Sequence, residues 1–240
     1  MITGSNRGLG LTLLKRFARE GFNIIAHSRK KNDEWTRQCA EMESAYNVSI
    51  KNVFFDLTKK DEVEQGLRQL AEDEVQIDVL INNAGILTTK PLMYVSYEDL
   101  EATFMVNYFS LAIITKEIGS IMMHGDGGCI INISSCMGEG HQPGGACYDA
   151  SKAAVNQFTR SIAQEFSPFG IRVNAISGGI IDTDMFENLS DKQKSKMIKA
   201  TALKRPAEME EIADSVVFLA SDKASYITGT ILNVEGGAII

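Results

Sequence analysis

Thr3-Gly4-Ser5-Asn6-Arg7-Gly8-Leu9-Gly10 comes directly after the apolar pair Met1-Ile2 and leads directly into the helical pattern Leu11, Leu14, Phe17 and Ala18. Glycines at such a turn let the backbone bend sharply and come close to a pyrophosphate. The free N–H groups and positive dipole end of the adjoining helix then meet its charge. Gly4, Ser5, Asn6, Arg7, Gly8, Leu9 and Gly10 are therefore candidate phosphate-binding residues. A glycine-rich turn standing alone can also be ordinary strand-to-helix punctuation, so the rest of the chain must decide.

Beyond the turn, apolar runs alternate with helical periodicity. Strands are expected near 1–3, 23–27, 53–55, 79–82, 129–134, 172–176 and 231–234, and helices over 32–46, 60–72, 97–123, 148–166 and 208–220, with a shorter one around 191–199. This rhythm requires right-handed crossovers, and hence an α/β fold: a Rossmann-like, doubly wound, parallel seven-stranded sheet with helices on both faces. No repeat, low-complexity tract or linker interrupts it, so 1–240 is read as one domain. Ligands bind such sheets at the carboxyl ends of the strands.

The remaining motifs fall at those ends. The second strand closes in Ala26-His27-Ser28-Arg29-Lys30. An acidic residue there would bind the adenosine ribose and repel a 2′-phosphate, whereas a small hydroxyl succeeded by cations suits the phosphate. Ser28 and Arg29, with Arg7 from the glycine motif, favour NADP(H) over NAD(H). Asp56-Leu57 ends the third strand, and Asn82-Asn83-Ala84-Gly85 ends the fourth. Asp56, Leu57, Asn83, Ala84 and Gly85 are expected beside the cofactor, because small residues let it lie against backbone. Asn107 sits within the apolar run Met105-Val106-Asn107-Tyr108-Phe109, where a buried amide must find partners. It is a candidate holder of a proton-relay water.

Tyr148-Asp-Ala-Ser-Lys152 comes thirteen residues after Ser135. Tyrosine and lysine four apart on a helix share a face, so the ammonium can favour the ionised phenol and bring its pKa toward neutrality. Ser135 would hold a carbonyl oxygen beside that acid.

Of the 240 residues, 44% are hydrophobic, enough for a large core, and no apolar run approaches the roughly 20 residues of a membrane span. Met1 runs straight into the glycine motif, leaving no room for a signal peptide, and a cytoplasmic location is expected. The net charge of −7 argues against general nucleic-acid binding. Cys39, Cys129, Cys136 and Cys147 have no metal-ligand spacing and only three histidines accompany them, so no metal site is expected and the thiols are read as reduced.

In order and spacing, T-G-x-x-x-G-x-G, N-N-A-G, the helix asparagine, the serine, Y-x-x-x-K and I-x-T make the chain resemble the short-chain dehydrogenase/reductases over nearly its whole length. Gly170-Ile-Arg-Val-Asn174, Leu189-Ser-Asp-Lys-Gln, Leu203-Lys-Arg-Pro-Ala-Glu, Phe218-Leu-Ala-Ser-Asp222 and Tyr226-Ile-Thr-Gly-Thr230 are similar to the 3-oxoacyl-[acyl-carrier-protein] reductases. The resemblance implies a catalytic tetrad of Asn107, Ser135, Tyr148 and Lys152, with Tyr148 and Lys152 also touching the cofactor and Ile181 and Thr183 holding the nicotinamide carboxamide. It implies NADPH-dependent reduction of a 3-oxoacyl thioester, as in fatty-acid biosynthesis, with a small-molecule ketone or an acyl group on acyl carrier protein as partner. A secondary-alcohol, sugar or steroid dehydrogenase is the alternative, and a cofactor-sensing scaffold the non-enzymatic one. An intact tetrad favours turnover over sensing.

Three departures stand out. Only two residues precede Thr3, Gly178-Gly179 replaces the usual Pro-Gly, and Asp126 and Phe169 stand where many carrier-protein reductases place basic residues. Broad apolar surfaces on 97–123, at Phe104, Tyr108, Leu111, Ile114, Ile118, Ile121 and Met122, and on the catalytic helix at Phe158, Ile162 and Phe166, predict a homodimer or homotetramer.

Overall fold

The computed structural model describes residues 1–182, 186 and 190–238. Its strands are β1 (Ile24–Ser28), β2 (Ile50–Phe54), β3 (Val79–Asn82), β4 (Gly128–Ile133), β5 (Ile171–Gly178) and β6 (Ile231–Val234). All pair in parallel, β1 with β2 on one side and β3-β4-β5-β6 on the other. Ile2 joins the two groups, bridging Ala26 and Ile81 at once. Seven positions are thus filled in the order β2-β1-Ile2-β3-β4-β5-β6, but the expected first strand at 1–3 is one bridging residue. The glycine turn begins too soon after Ile2 for a longer ladder: Gly4 already has a left-handed φ of +65°. The other strand ends agree with expectation to within a few residues, and Asn32 and Glu208 cap their helices rather than open them.

Eight α-helices cover the sheet among the described residues: α1 (Gly8–Arg19), α2 (Asp33–Tyr46), α3 (Lys60–Glu72), α4 (Tyr97–Phe104), α5 (Ser110–Met123), α6 (Ala146–Phe166), α7 (Asp191–Lys199) and α8 (Met209–Ala220). Leu13, Leu14 and Phe17 of α1 share one buried cluster with Trp35, Cys39 and Met42 of α2 and Ile212, Val216 and Leu219 of α8. Val63, Leu67 and Leu70 of α3 share a second with Ile114, Ile118 and Met122 of α5 and Ala163 of α6. Each helix thus buries a stripe at i, i+3, i+4 spacing, one set on each face. β1 is buried at every position, as a parallel sheet covered on both sides requires. No described helix is long and apolar enough to cross a membrane.

Two features differ from a simple reading of periodicity. The expected helix over 97–123 is continuous in course but contains a π-turn, Met105–Phe109, between α4 and α5. One polar chain also runs through the interior. Asn82 Nδ2 donates to Asn132 Oδ1 at 2.9 Å and Thr115 Oγ1 at 3.0 Å, and Asn132 Nδ2 donates to Thr159 Oγ1 at 2.9 Å. These bonds tie β3, β4, α5 and α6 together.

Candidate active site

The chain reverses its direction of winding between β1 and β3, and the glycine loop lies at that crevice. Gly10 packs so closely under the loop that a Cβ there would lie 2.0 Å from Gly4 O and 2.6 Å from Asn83 Nδ2. In front of Gly8, at φ +51°, nothing lies within 4 Å of the position a Cβ would take. A loop pressed tight behind and open in front, at a helix start whose first N–H groups precede the Leu11 N to Arg7 O bond, fits a pyrophosphate. Arg7 is exposed beside it.

Thr3 ties this loop to the next strand end. Its Oγ1 accepts from Asn83 N and Ala84 N, both at 3.0 Å, while Asn83 Nδ2 donates to Thr3 O at 3.0 Å and Gly4 O at 3.2 Å. At the expected adenosine end Arg29 is exposed. Ser28 differs from expectation: it is buried, with Oγ donating to Lys30 O at 2.9 Å, so it shapes the turn that presents Arg29. Burial pulls the Asp56 carboxyl up, but its bonds to Thr58, together with Arg29 and Lys59, bring it below its ordinary value; it accepts from Thr58 N and Oγ1. Leu57 is buried next to it. Ile181 is held by a parallel bridge to Ala207. Thr183 lies outside the described residues.

The candidate reacting groups converge from three elements. Ser135 succeeds β4 and caps a short 3₁₀ turn, its Oγ accepting from Met137 N at 3.2 Å. Tyr148 and Lys152 stand on one face of α6, with Nζ 5.8 Å from the phenol centroid. Lys152 Nζ donates to Ile133 O at 2.8 Å, and burial pushes its pKa down to about 8. Burial also raises the Tyr148 phenol above its ordinary value, the Ser135 hydroxyl pulling the other way and Cys136 and Asp149 adding to the rise. That reverses the expectation that Lys152 draws the phenol toward neutrality. The ammonium is directed to a strand carbonyl, and desolvation is the largest influence on the phenol.

Asn107 is buried in the π-turn, which rotates it out of the ordinary helical sequence of faces. Its Oδ1 accepts from Ile86 N at 2.8 Å, and its Nδ2 donates to Ile86 O and to Ser151 Oγ, both at 2.9 Å. Ser151 Oγ donates in turn to Tyr148 O at 2.7 Å. Gly85 completes the arrangement, since a Cβ there would sit 3.5 Å from both Asn107 Oδ1 and Lys152 Nζ. Thr3 and Ser151 were not singled out by sequence reasoning. Ser151 lies three residues after Tyr148, and that spacing on one helix face was the available signal.

Behind the site, Asp149 Oδ2 accepts from Gln142 N at 3.2 Å, and Lys90 N donates to Gly144 O at 2.9 Å, holding the 139–145 loop. All four cysteines are buried and free. Among the described residues no group of histidine, cysteine or acidic side chains could hold a metal ion.

Residues 4–238 match a family model described as enoyl-(acyl carrier protein) reductase. The 3-oxoacyl-[acyl-carrier-protein] reductase FabG of Chlamydia trachomatis is 36% identical over 238 residues, 99% of this chain and 95% of that one. Cyclopentanol dehydrogenase of Comamonas testosteroni is 34% identical over 239 residues, again covering 99% and 95%. Among solved structures, a blue fluorescent protein from a metagenomic library in complex with NADPH superposes with a TM-score of 0.91 at 32% identity, covering 98% of this chain and 95% of that one. A 4-hydroxyisoleucine dehydrogenase mutant with NADH and succinate gives 0.91 at 32%, covering 99% and 96%. A short-chain dehydrogenase/reductase of Serratia marcescens gives 0.90 at 30%, covering 98% and 95%.

Proposed function

We propose that this chain, which belongs to the short-chain dehydrogenase/reductase family, reduces a ketone to a secondary alcohol with NADPH, and that the ketone is a 3-oxoacyl thioester. The observation that carries the reading is the convergence of Ser135, Tyr148, Lys152 and Asn107 on the strand ends beside the glycine loop. Family membership makes the chain an oxidoreductase that uses NAD(P)H at CH–OH groups.

Gly4 through Gly10, with Asn83 to Gly85, Asp56, Leu57 and Ile181, would hold the cofactor, which supplies the hydride when bound. Ser135 Oγ donates a hydrogen bond to the ketone oxygen. Tyr148 gives its proton to that oxygen as charge develops there, and a phenol raised by burial is fully protonated at neutral pH, as an acid must be. Lys152, charged below about pH 8, stabilises the phenolate left behind and binds the nicotinamide ribose. Asn107 Oδ1 retains a lone pair beyond its bond to Ile86 N, enough to orient a water that returns the proton from solvent.

Exposed Arg7 and Arg29 support a preference for NADPH over NADH. A phosphate–guanidinium pair supplies about 1.5 to 3 kcal/mol, so about a ten- to hundredfold difference in Kd is expected, and equal constants refute it. The thioester is supported by FabG relatives and opposed by Asp126 and Phe169, which offer no cation to an acidic carrier. That opposition, with the cyclopentanol dehydrogenase relative, favours a second reading in which a secondary alcohol or sugar is the substrate. Measuring NADPH absorbance against acyl thioesters, cyclic ketones, keto sugars and steroids separates the two. Turnover of none of them, with NADPH bound, would leave the sensing role.

Association is part of the proposal. Leu111, Ile114, Ile118 and Met122 are spent within the subunit, but Phe109, Ile113 and Tyr97 remain exposed on the same helical course and suit a second copy. Light scattering should give a dimer or tetramer mass.

A further inference from the structure

His27, the penultimate residue of β1, is a buried ionisable group with no part in the reaction above. Its backbone and its ring both turn toward the glycine loop. His27 O accepts from Ser5 N at 2.8 Å and from Ser5 Oγ at 3.1 Å, and His27 N donates to Ile2 O at 3.0 Å. The ring lies between two main-chain groups of opposite kind: Gly4 N at 3.2 Å from Nδ1, and Phe55 O at 2.9 Å from Nε2. Gly4 N–H can only donate and Phe55 O can only accept, so one tautomer satisfies both, with the proton on Nε2 and the Nδ1 lone pair toward Gly4. The Phe55 ring packs on the imidazole at 4.1 Å between centroids.

We propose that His27 is a positioning residue for the nucleotide cofactor: its neutral ring, protonated on Nε2, anchors the glycine loop through Gly4 N–H, and uptake of a second ring proton releases that anchor. The proposal rests on the nucleotide-binding reading of the loop. Gly4 is the first left-handed residue of the turn, and a Cβ on Gly10 would meet its carbonyl, so any shift of Gly4 moves the surface that faces the pyrophosphate. A proton taken from solvent onto Nδ1 sets a ring N–H against the Gly4 N–H. The bond is then lost, and two donors face one another without an acceptor.

The charged groups on the elements packed around the ring are Asp56 after β2, Lys59 and Glu62 at the start of α3, Arg29 after β1 and Arg7 in the loop. Asp56 favours the charged ring, while Arg29 and Lys59 lie close enough to Asp56 to act on its own pKa. Burial outweighs them and pushes the imidazole down to about 4, so the anchoring form is the one present near neutrality.

The test uses the full chain and NADP⁺, which survives acid better than NADPH. Calorimetric titration of the wild type at pH 7.5 comes first: failure to bind NADP⁺ or NAD⁺ refutes the nucleotide reading itself. If the wild type binds, His27→Phe, which keeps the ring but neither polar contact, should raise the Kd for NADP⁺ about tenfold, the loss of roughly one hydrogen bond. In turnover the loss should fall on the KM for NADPH rather than on kcat. His27→Asn, with an acceptor and a donor on one amide, should recover part of the affinity. As pH falls through about 4 the wild-type Kd should climb more steeply than that of His27→Asn, which shares only the titration of the nucleotide phosphate. An unchanged Kd in His27→Phe, or an equal pH response in His27→Asn, overturns the proposal. Should His27→Phe fail to fold, the ¹⁵N shifts of the wild-type imidazole decide alone: an unprotonated Nδ1 at pH 7 supports the proposal, and an Nδ1–H tautomer overturns it.

Discussion

The two halves of the site are built to different standards. On the nucleotide side, Thr3, Asn83 and Ala84 are cross-bonded over some eighty positions of sequence, and Gly10 leaves no room behind the loop. On the proposed substrate side, the 139–145 loop is held by a carboxylate bond from Asp149, backbone bonds to Lys90, Cys136 and Asp149, and the exposed Arg160–Glu139 pair. The first arrangement pins two strand ends through the Thr3 and Asn83 side chains onto main-chain groups, over a glycine with no space behind it, so few substitutions are neutral there. The second adds to its main-chain bonds the side chains of Asp149 and Arg160, which can be exchanged singly. One framework can therefore serve different substrates, as the FabG and cyclopentanol dehydrogenase relatives, named for different ones and about equally similar to this chain, illustrate.

Four expected outcomes would break or sharpen that contrast, taken from the largest effect down. Tyr148→Phe removes the proton donor that both halves serve, and kcat should fall by about 10² to 10⁴ with NADP⁺ affinity retained. Turnover within a few fold of wild type would remove Tyr148 from its role. Gly10→Ala tests the rigid half. A methyl 2.0 Å from Gly4 O must displace the loop, and overpacking of this kind costs about 1 to 3 kcal/mol, so the Kd for NADP⁺ should rise about ten- to a hundredfold. An unaffected Kd would show that the loop yields more easily than its contacts imply.

Titration offers a third measure. With Lys152 pushed down to about 8, the charged form is lost as pH rises through that value, and kcat/KM for reduction should decline about tenfold per unit above it. A profile flat to pH 10 would mean that the ammonium keeps its ordinary pKa. The smallest effect belongs to the substrate side. Asp149→Ala removes the side-chain bond to Gln142 N, worth about 1 kcal/mol, and should change the KM of the ketone about fivefold without moving that of NADPH. Equal shifts in both would make the two halves one mechanical unit.

The rigid half was also the legible one. Where backbone must approach backbone or phosphate, only glycine fits, so Gly4, Gly8 and Gly10 announce the loop in sequence. Asn107 was legible because a polar group in an apolar helix needs a reason, and the Tyr148/Lys152 pair because a spacing of four shares one helix face. Features that stayed hidden depend on contacts distant in the chain. The π-turn around Asn107 adds one residue to a helical turn, and the residues beside it, Met105, Val106, Tyr108 and Phe109, are apolar on every face, so no break in the pattern marks it. Ile2, left as a single bridging residue by the turn at Gly4, finds its partners Ala26 and Ile81 far along the chain. The inward turn of Ser28 and the raised pKa of Tyr148 depend on burial, which a motif does not encode.

The asparagine and threonine chain between β3 and β4 bears on how the protein avoids folding wrongly. Val-Leu-Ile-Asn and Gly-Cys-Ile-Ile-Asn-Ile are covered by helices on both faces, so sliding one strand past the other would still bury apolar side chains on either side. Hydrophobicity alone chooses poorly among such misalignments. The pairing of Asn82 with Asn132 chooses sharply: a slip by one position would separate the two amides and strand them away from Thr115 and Thr159, at about 1 to 3 kcal/mol for each group left without a partner. Since Ser135 lies three residues beyond Asn132, and Lys152 seven before Thr159, the amide pair that rejects misaligned chains also sets the serine and the lysine at one height.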